Sequence, residues 1–254
     1  IAVYSFSEGK VYAERFIKIA PQKISAGRKV AYGLRKTAPN AIPYPGGLAL
    51  VTSGGKDRLL VANNLADNVL LINASSGAVL QQFDVSTDRI IPSSFPYGVV
   101  ATRDGKRAWC SLWNSPKVAE LDLSSGRVVR WIALQKPKDA ISPSAHNSAM
   151  LLSNDERMLF VAMSNADRVA VIATDGGTLG GYLDTKAQGQ TYGGSYPTAL
   201  ARSADDRYLF VADSSLDSVA VFDVPSFFSE PTRTAMGFIP TDWYPCALAT
   251  IGGD

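Results

Sequence analysis

Arg58-Leu-Leu-Val-Ala-Asn63 returns as Arg107-Ala-Trp-Cys-Ser-Leu112, Arg157-Met-Leu-Phe-Val-Ala162 and Arg207-Tyr-Leu-Phe-Val-Ala212. The arginines step by 49, 50 and 50 residues. A second marker keeps pace. A valine opens the next apolar stretch at Val69, Val118, Val169 and Val219, and a glycine stands eight residues after three of them, at Gly77, Gly126 and Gly177. Self-similarity at a fixed period of this length is the mark of a repeat architecture.

Each unit reads as four short strands. The first follows an aromatic-proline pair: Tyr44-Pro45, Phe95-Pro96, Tyr196-Pro197 or Tyr244-Pro245. The second is apolar almost throughout, as expected of a strand buried on both faces. A polar turn carrying Asp67, Asp167 or Asp217 leads to the third strand, with Pro116 holding that place in the second unit. A glycine turn then leads to the fourth. Turn signals arrive every 8–12 residues and no capped 3.6-residue periodicity is visible, so no helix is expected. The reading is an all-β protein, a β-propeller of four-stranded antiparallel blades of about 50 residues each.

The blades fall at 44–86, 94–135, 145–185 and 195–240, with partial blades at 1–19 and 243–254. Ile1-Ala-Val-Tyr4 matches Val219-Ala-Val-Phe222, so the chain opens on a third strand. Five incomplete blades would leave open sheet edges, which propellers avoid by closing. The expectation is one propeller domain that forms part of a seven-bladed ring.

Composition sets further bounds. The chain has 254 residues, 46% hydrophobic and 19% charged, which excludes disorder. No apolar run approaches the ~20 residues of a membrane helix. A net charge of +2 is too small to imply nucleic acid. The two cysteines, Cys110 and Cys246, form no CxxC motif and read as buried, inert thiols. His146 is the single histidine, so no multi-histidine metal centre exists. Phosphate-gripping loops, GxSxG and HExxH are absent. The recurring aspartates read as turn chemistry, since calcium needs several oxygens converging on one point. No catalytic residue, metal or cofactor is assigned.

The second strands resemble the Tyr-Val-Thr-Asn signature of the YVTN-repeat propellers, a surface-layer-like and periplasmic family, in Leu60-Val-Ala-Asn63, Phe160-Val-Ala-Met163 and Phe210-Val-Ala-Asp213. The second blade departs most, with Cys110-Ser-Leu-Trp113. The resemblance implies a seven-bladed ring in the periplasm or at the cell surface. It also implies a protein that is often non-catalytic and sometimes leads a longer polypeptide with a phosphoesterase domain.

Function in repeat folds tends to sit on loops. The long connections between blades should emerge on one face around the channel mouth. The longest, about 20–43, carries Lys23, Arg28, Lys29, Arg35 and Lys36 and no acid, either a contact for an anionic partner or a plain solvated loop. Tyr44, Phe95, Tyr196 and Tyr244 either line the mouth or set the start of each strand. His146 breaks the aromatic-proline pattern, either as a ligand donor or general base or as an ordinary hydrogen-bonding loop residue. Trp113 stands at sites matched to Asn63, Met163 and Asp213, either as a stacking platform or as filler between blades. The expected function is a non-catalytic scaffold binding a protein or extracellular polymer through the long-loop face. The alternative is a lactonase- or phosphoesterase-type hydrolase, with its site at the mouth or in a further domain.

Overall fold

The computed structural model describes residues 1–23, 40–86, 94–135, 145–225 and 233–251. Among them are twenty strands. β1 (Ala2–Ser7) and β2 (Lys10–Phe16) form a hairpin, and β3 (Gln22–Lys23) pairs with β4 (Asn40–Ala41). Four sheets follow, each an antiparallel meander of four strands. The first holds β5 (Pro45–Ser53), β6 (Lys56–Asn63), β7 (Asn68–Asn73) and β8 (Val79–Asp84). The second holds β9 (Pro96–Ala101), β10 (Arg107–Leu112), β11 (Lys117–Asp122) and β12 (Arg127–Ala133). The third holds β13 (Asn147–Leu152), β14 (Met158–Met163), β15 (Arg168–Ala173) and β16 (Thr178–Asp184). The fourth holds β17 (Pro197–Arg202), β18 (Tyr208–Asp213), β19 (Ser218–Asp223) and β20 (Gly237–Pro240). No described helix is long and apolar enough to cross a membrane.

The core lies between the sheets rather than within any of them. Strand side chains alternate in direction, and β10 shows the result. Ala108, Cys110 and Leu112 pack against Leu60, Ala62, Val69 and Phe83 of the first sheet. Trp109 joins Ile132, Leu159, Val161 and Met163 in the next seam. Phe160, Val171, Leu209, Val211 and Phe222 fill the third seam. The outer side of the first sheet is covered by Ile17 beneath the β1–β2 hairpin, against Val61, Leu70 and Ile72. The second strands of the second and third sheets are apolar on both faces because each face meets a neighbouring sheet. This is the propeller arrangement the repeat called for.

Three features depart from expectation. Short 3-10 turns close the second strands at Asn64–Ala66, Ser164–Ala166 and Ser214–Leu216. Such single turns carry no 3.6-residue pattern and leave no trace in the periodicity. Cys110 is buried and burial pushes its thiol up, but Cys246 is exposed. Cys246 lies in a stretch after Pro245 that pairs with no strand among the described residues, so no second sheet face covers it. The strand register also shifts. Pro96 pairs with Leu112, as Pro45 does with Asn63 and Pro197 with Asp213. Leu112 is therefore the counterpart of Asn63, Met163 and Asp213, and Trp113 lies one position further on, level with Asn64, Ser164 and Ser214.

The four inner strands β5, β9, β13 and β17 lie side by side. Their approach is close enough to require glycine. A Cβ on Gly47 would stand 2.2 Å from the Tyr97 carbonyl oxygen, and one on Gly98 would stand 2.8 Å from that of Ser148. Gly98 N–H donates to Ser111 Oγ at 2.9 Å, and Ser111 Oγ–H donates to the Ser148 carbonyl at 2.6 Å. Gly47→Ala is expected to cost about 1–3 kcal/mol, the range for overpacking. Urea unfolding with an unchanged m-value would measure it.

Candidate functional site

One end of the sheets gathers the starts of the first strands and the ends of the second. The residues before the first strands adopt a left-handed backbone: Phe95 at φ 49°, His146 at 50°, Tyr196 at 55° and Tyr244 at 53°. Tyr44 does not share it. Positive φ is costly for bulky side chains and persists only where surroundings enforce it.

The enforcing group is the recurring aspartate. Asp67, Asp167 and Asp217 end their turns in the left-handed conformation and point into the next sheet. Asp67 Oδ1 accepts from Ser94 N at 2.9 Å and Phe95 N at 3.2 Å. Asp167 Oδ1 accepts from Ser195 N at 2.8 Å and Tyr196 N at 3.2 Å, while its Oδ2 accepts from Gly194 N at 2.8 Å. Asp217 Oδ1 accepts from Tyr244 N at 2.8 Å. Asp67 and Asp167 thus latch one sheet to the next, and Asp217 holds the segment that follows the fourth sheet. Charge-assisted bonds of this kind are about twice as strong as neutral ones.

The seam between the second and third sheets lacks this latch, because Pro116 replaces the aspartate. There the polarity is reversed. Asn147 stands where the other sheets have proline, and its side-chain amide reaches back to donate to the carbonyls of Ser115 at 2.8 Å and Leu112 at 3.2 Å. The two departures from the repeat answer one another.

His146 sits at this altered seam. Its ring stacks on Trp113 with centroids 4.3 Å apart and planes 16° apart. Tyr97 meets Trp113 in a tilted arrangement, with centroids 5.1 Å apart. Asn165 Nδ2 lies 3.5 Å from His146 Nε2. Burial lowers the histidine below its ordinary value of 6.5, so the imidazole is neutral at pH 7. Tyr196 is raised, first by burial and then by Tyr244 and Tyr97, which places those phenols near one another.

Of the sequence candidates, Trp113, His146, Tyr196 and Tyr244 share this end of the sheets. Tyr44 is exposed there but makes no ring contact with the others among the described residues. Lys23 is exposed on β3 opposite Asn40, away from the cluster's contacts. Arg28, Lys29, Arg35 and Lys36 lie outside the described residues. Tyr97 and Asn165 were not singled out in the sequence; both join the site through contacts between neighbouring elements that a linear pattern does not carry. No group of three metal-ligating side chains occurs among the described residues.

Four-stranded sheets packed face to face, with their inner strands side by side and an aromatic, histidine-bearing cluster at one end, define a β-propeller. The chain belongs to the lactonase family described as a 7-bladed β-propeller, whose profile matches residues 50–235. No curated protein matches the sequence. Among solved structures, a candidate 6-phosphogluconolactonase from Bacteroides fragilis superposes with a TM-score of 0.69 at 18% identity, covering 99% of this chain and 67% of that one. The periplasmic gluconolactonase of Pseudomonas aeruginosa gives 0.59 at 19% identity, covering 78% and 58%. Virginiamycin B lyase from Staphylococcus aureus gives 0.53 at 14% identity, covering 71% and 53%. The chain thus spans about half to two thirds of the length of these structures.

The family match corrects two expectations. The YVTN surface-layer resemblance gives way to the lactonase family, because the quoted signature consists of scaffold residues that many propellers share. The non-catalytic scaffold for a protein or polymer gives way with it, and nothing in these relatives supports a cell-surface location.

Removing the Asn147 amide would leave buried carbonyls of Ser115 and Leu112 short of a donor. Asn147→Ala is expected to cost about 1–3 kcal/mol, the penalty for an unsatisfied buried group. Chemical denaturation would measure the cost, and a change in tryptophan fluorescence would report the loosened Trp113–His146 stack.

Proposed function

We propose that the protein is a lactonase-type hydrolase acting at the channel mouth on a sugar lactone, in the periplasm. Membership in the lactonase family carries this reading. The neutral His146 on its aromatic floor is the local chemistry that suits it. The periplasmic gluconolactonase among the structural neighbours supports the location and the substrate class.

In this mechanism the flat face of the lactone lies against Trp113 and Tyr97, which present apolar ring surface beside polar groups. A water molecule attacks the acyl carbon. Its proton passes to His146 Nε2, the nitrogen facing Asn165, and the new C–O bond forms. The tetrahedral intermediate collapses by breaking the bond to the ring oxygen. That oxygen takes the proton back from the imidazolium, giving the open hydroxy acid. The Asn165 amide lies at 3.5 Å from the same nitrogen; turning from it to the bound substrate, it frees the lone pair that takes the proton and donates to the developing oxyanion.

A positioned general base contributes typically 10²–10⁴ in rate. His146→Asn is expected to lower kcat on D-glucono-δ-lactone or its 6-phosphate by that order, with acid release followed in a pH-stat. Trp113→Ala should chiefly raise KM. The base works unprotonated, so kcat/KM should hold at neutral pH and fall as pH drops through a value below 6.5. Failure of the wild-type protein to exceed the spontaneous rate on either lactone would end this reading.

A further inference from the structure

Asp213 closes β18 and points into the seam between the third and fourth sheets, fully buried at 0% exposure. Among the described residues neither carboxyl oxygen has a hydrogen-bond partner of ordinary geometry. The neighbouring hydroxyl of Thr185 is engaged with Ser195 Oγ at 2.7 Å. Its ladder neighbours, Pro197 and Ser218, carry no charge. The ionisable groups facing it come from the third sheet: Asp167, the latch carboxylate at the end of its turn, and Asp184 at the end of β16. Asp184 itself pairs with Lys186 at 3.6 Å and stands opposite Arg168 in the ladder, but no cation is among the groups that shift Asp213.

The fold does not demand an acid here. The counterparts are Asn63, which donates its amide to Asn68 at 2.9 Å, and the buried apolar Leu112 and Met163. Only the fourth sheet places a carboxyl at this point. It does so directly under the Asp167 latch, whose two carboxylate oxygens hold Gly194, Ser195 and Tyr196.

We propose that Asp213 is a proton-dependent lock on this seam: neutral, it lets the third and fourth sheets close and holds Tyr196 at the mouth; ionised, it opens the seam beneath Asp167. Two buried carboxylates without a cation between them repel strongly. The geometry agrees with the direction of its titration: burial first, then Asp167, and to a smaller extent Asp184, push it up to about 8 against the opposing pull of the Thr185 hydroxyl. An unfolded or opened chain exposes the same carboxyl to water, where it ionises near 3.9. The stabilising form is therefore the protonated one. Stability of the seam is greatest at low pH, falls as pH rises from about 4 towards about 8, and levels above that.

Amide hydrogen exchange on the full chain tests this directly. Protection of the Gly194–Tyr196 amides should fall by up to tenfold per pH unit between pH 5 and 8, relative to the intrinsic rate. The equivalent amides of Ser94 and Phe95 sit over Leu112, and their latch should show no such slope. Asp213→Asn, and Asp213→Met with the residue found at position 163, should remove the slope at 194–196. Parallel pH profiles at the two latches of the wild-type protein would overturn the proposal. So would an unchanged slope in a folded variant. The comparison within the wild-type protein stands even where a variant does not fold.

Discussion

A four-stranded sheet that is apolar on both faces has nowhere to put them except against another sheet. Every other feature of this molecule follows from that constraint. It sets the period of the sequence, because each unit must deliver the same two faces to its neighbours. It places the core in the seams, where Trp109, Leu112, Phe160 and Phe222 are buried. It also brings the inner strands close enough that Gly47 and Gly98 accept no side chain. Apolar contact is non-directional and does not say how far each sheet rotates or slides against the next. The aspartate latches supply that direction, fixing the end of one sheet to the first residues of the following one through charge-assisted bonds.

The same latches explain why the mouth is where it is. Holding Phe95, Tyr196 and Tyr244 in a strained backbone aims large side chains at one end of the sheets. Where the aspartate is missing, the chain holds His146 in the same strained geometry by other means: a reversed amide from Asn147 and a ring stack on Trp113. A repeat protein thus acquires a distinctive site by relaxing its own rule once. The neutral imidazole that results belongs to the seam whose connection differs from the rest.

The fold was legible in the sequence because the second strands announce themselves every 50 residues or so, and the valine of the third strand confirms the phase. The register of the second sheet was not. An equal step of 50 aligned Cys110-Ser-Leu-Trp113 with Leu60–Asn63, whereas the arginine step of 49 matched the pairing of Leu112 with Pro96. In a strand buried on one face, a one-residue slip would turn apolar groups outward and betray itself. In β10 both faces are apolar, so the pattern is blind to the slip. Cys246 misled for a related reason: its neighbours read as a strand, but burial requires a partner sheet. His146 was visible as a break in the repeat. Tyr97 was not, because its role arises only when β9 and the end of β10 stand together.

The paired exchange of Pro116 and Asn147 also bears on how such a chain can change over time. Repeats built to one rule can be duplicated, deleted or shuffled with little loss, since every junction is the same. Here the second and third units form a matched couple. Setting the second unit before any unit but the third would put Pro116 against a proline and leave the junction with neither carboxylate nor amide. These two units are therefore bound to travel as one piece in any rearrangement of the gene, carrying the histidine with them.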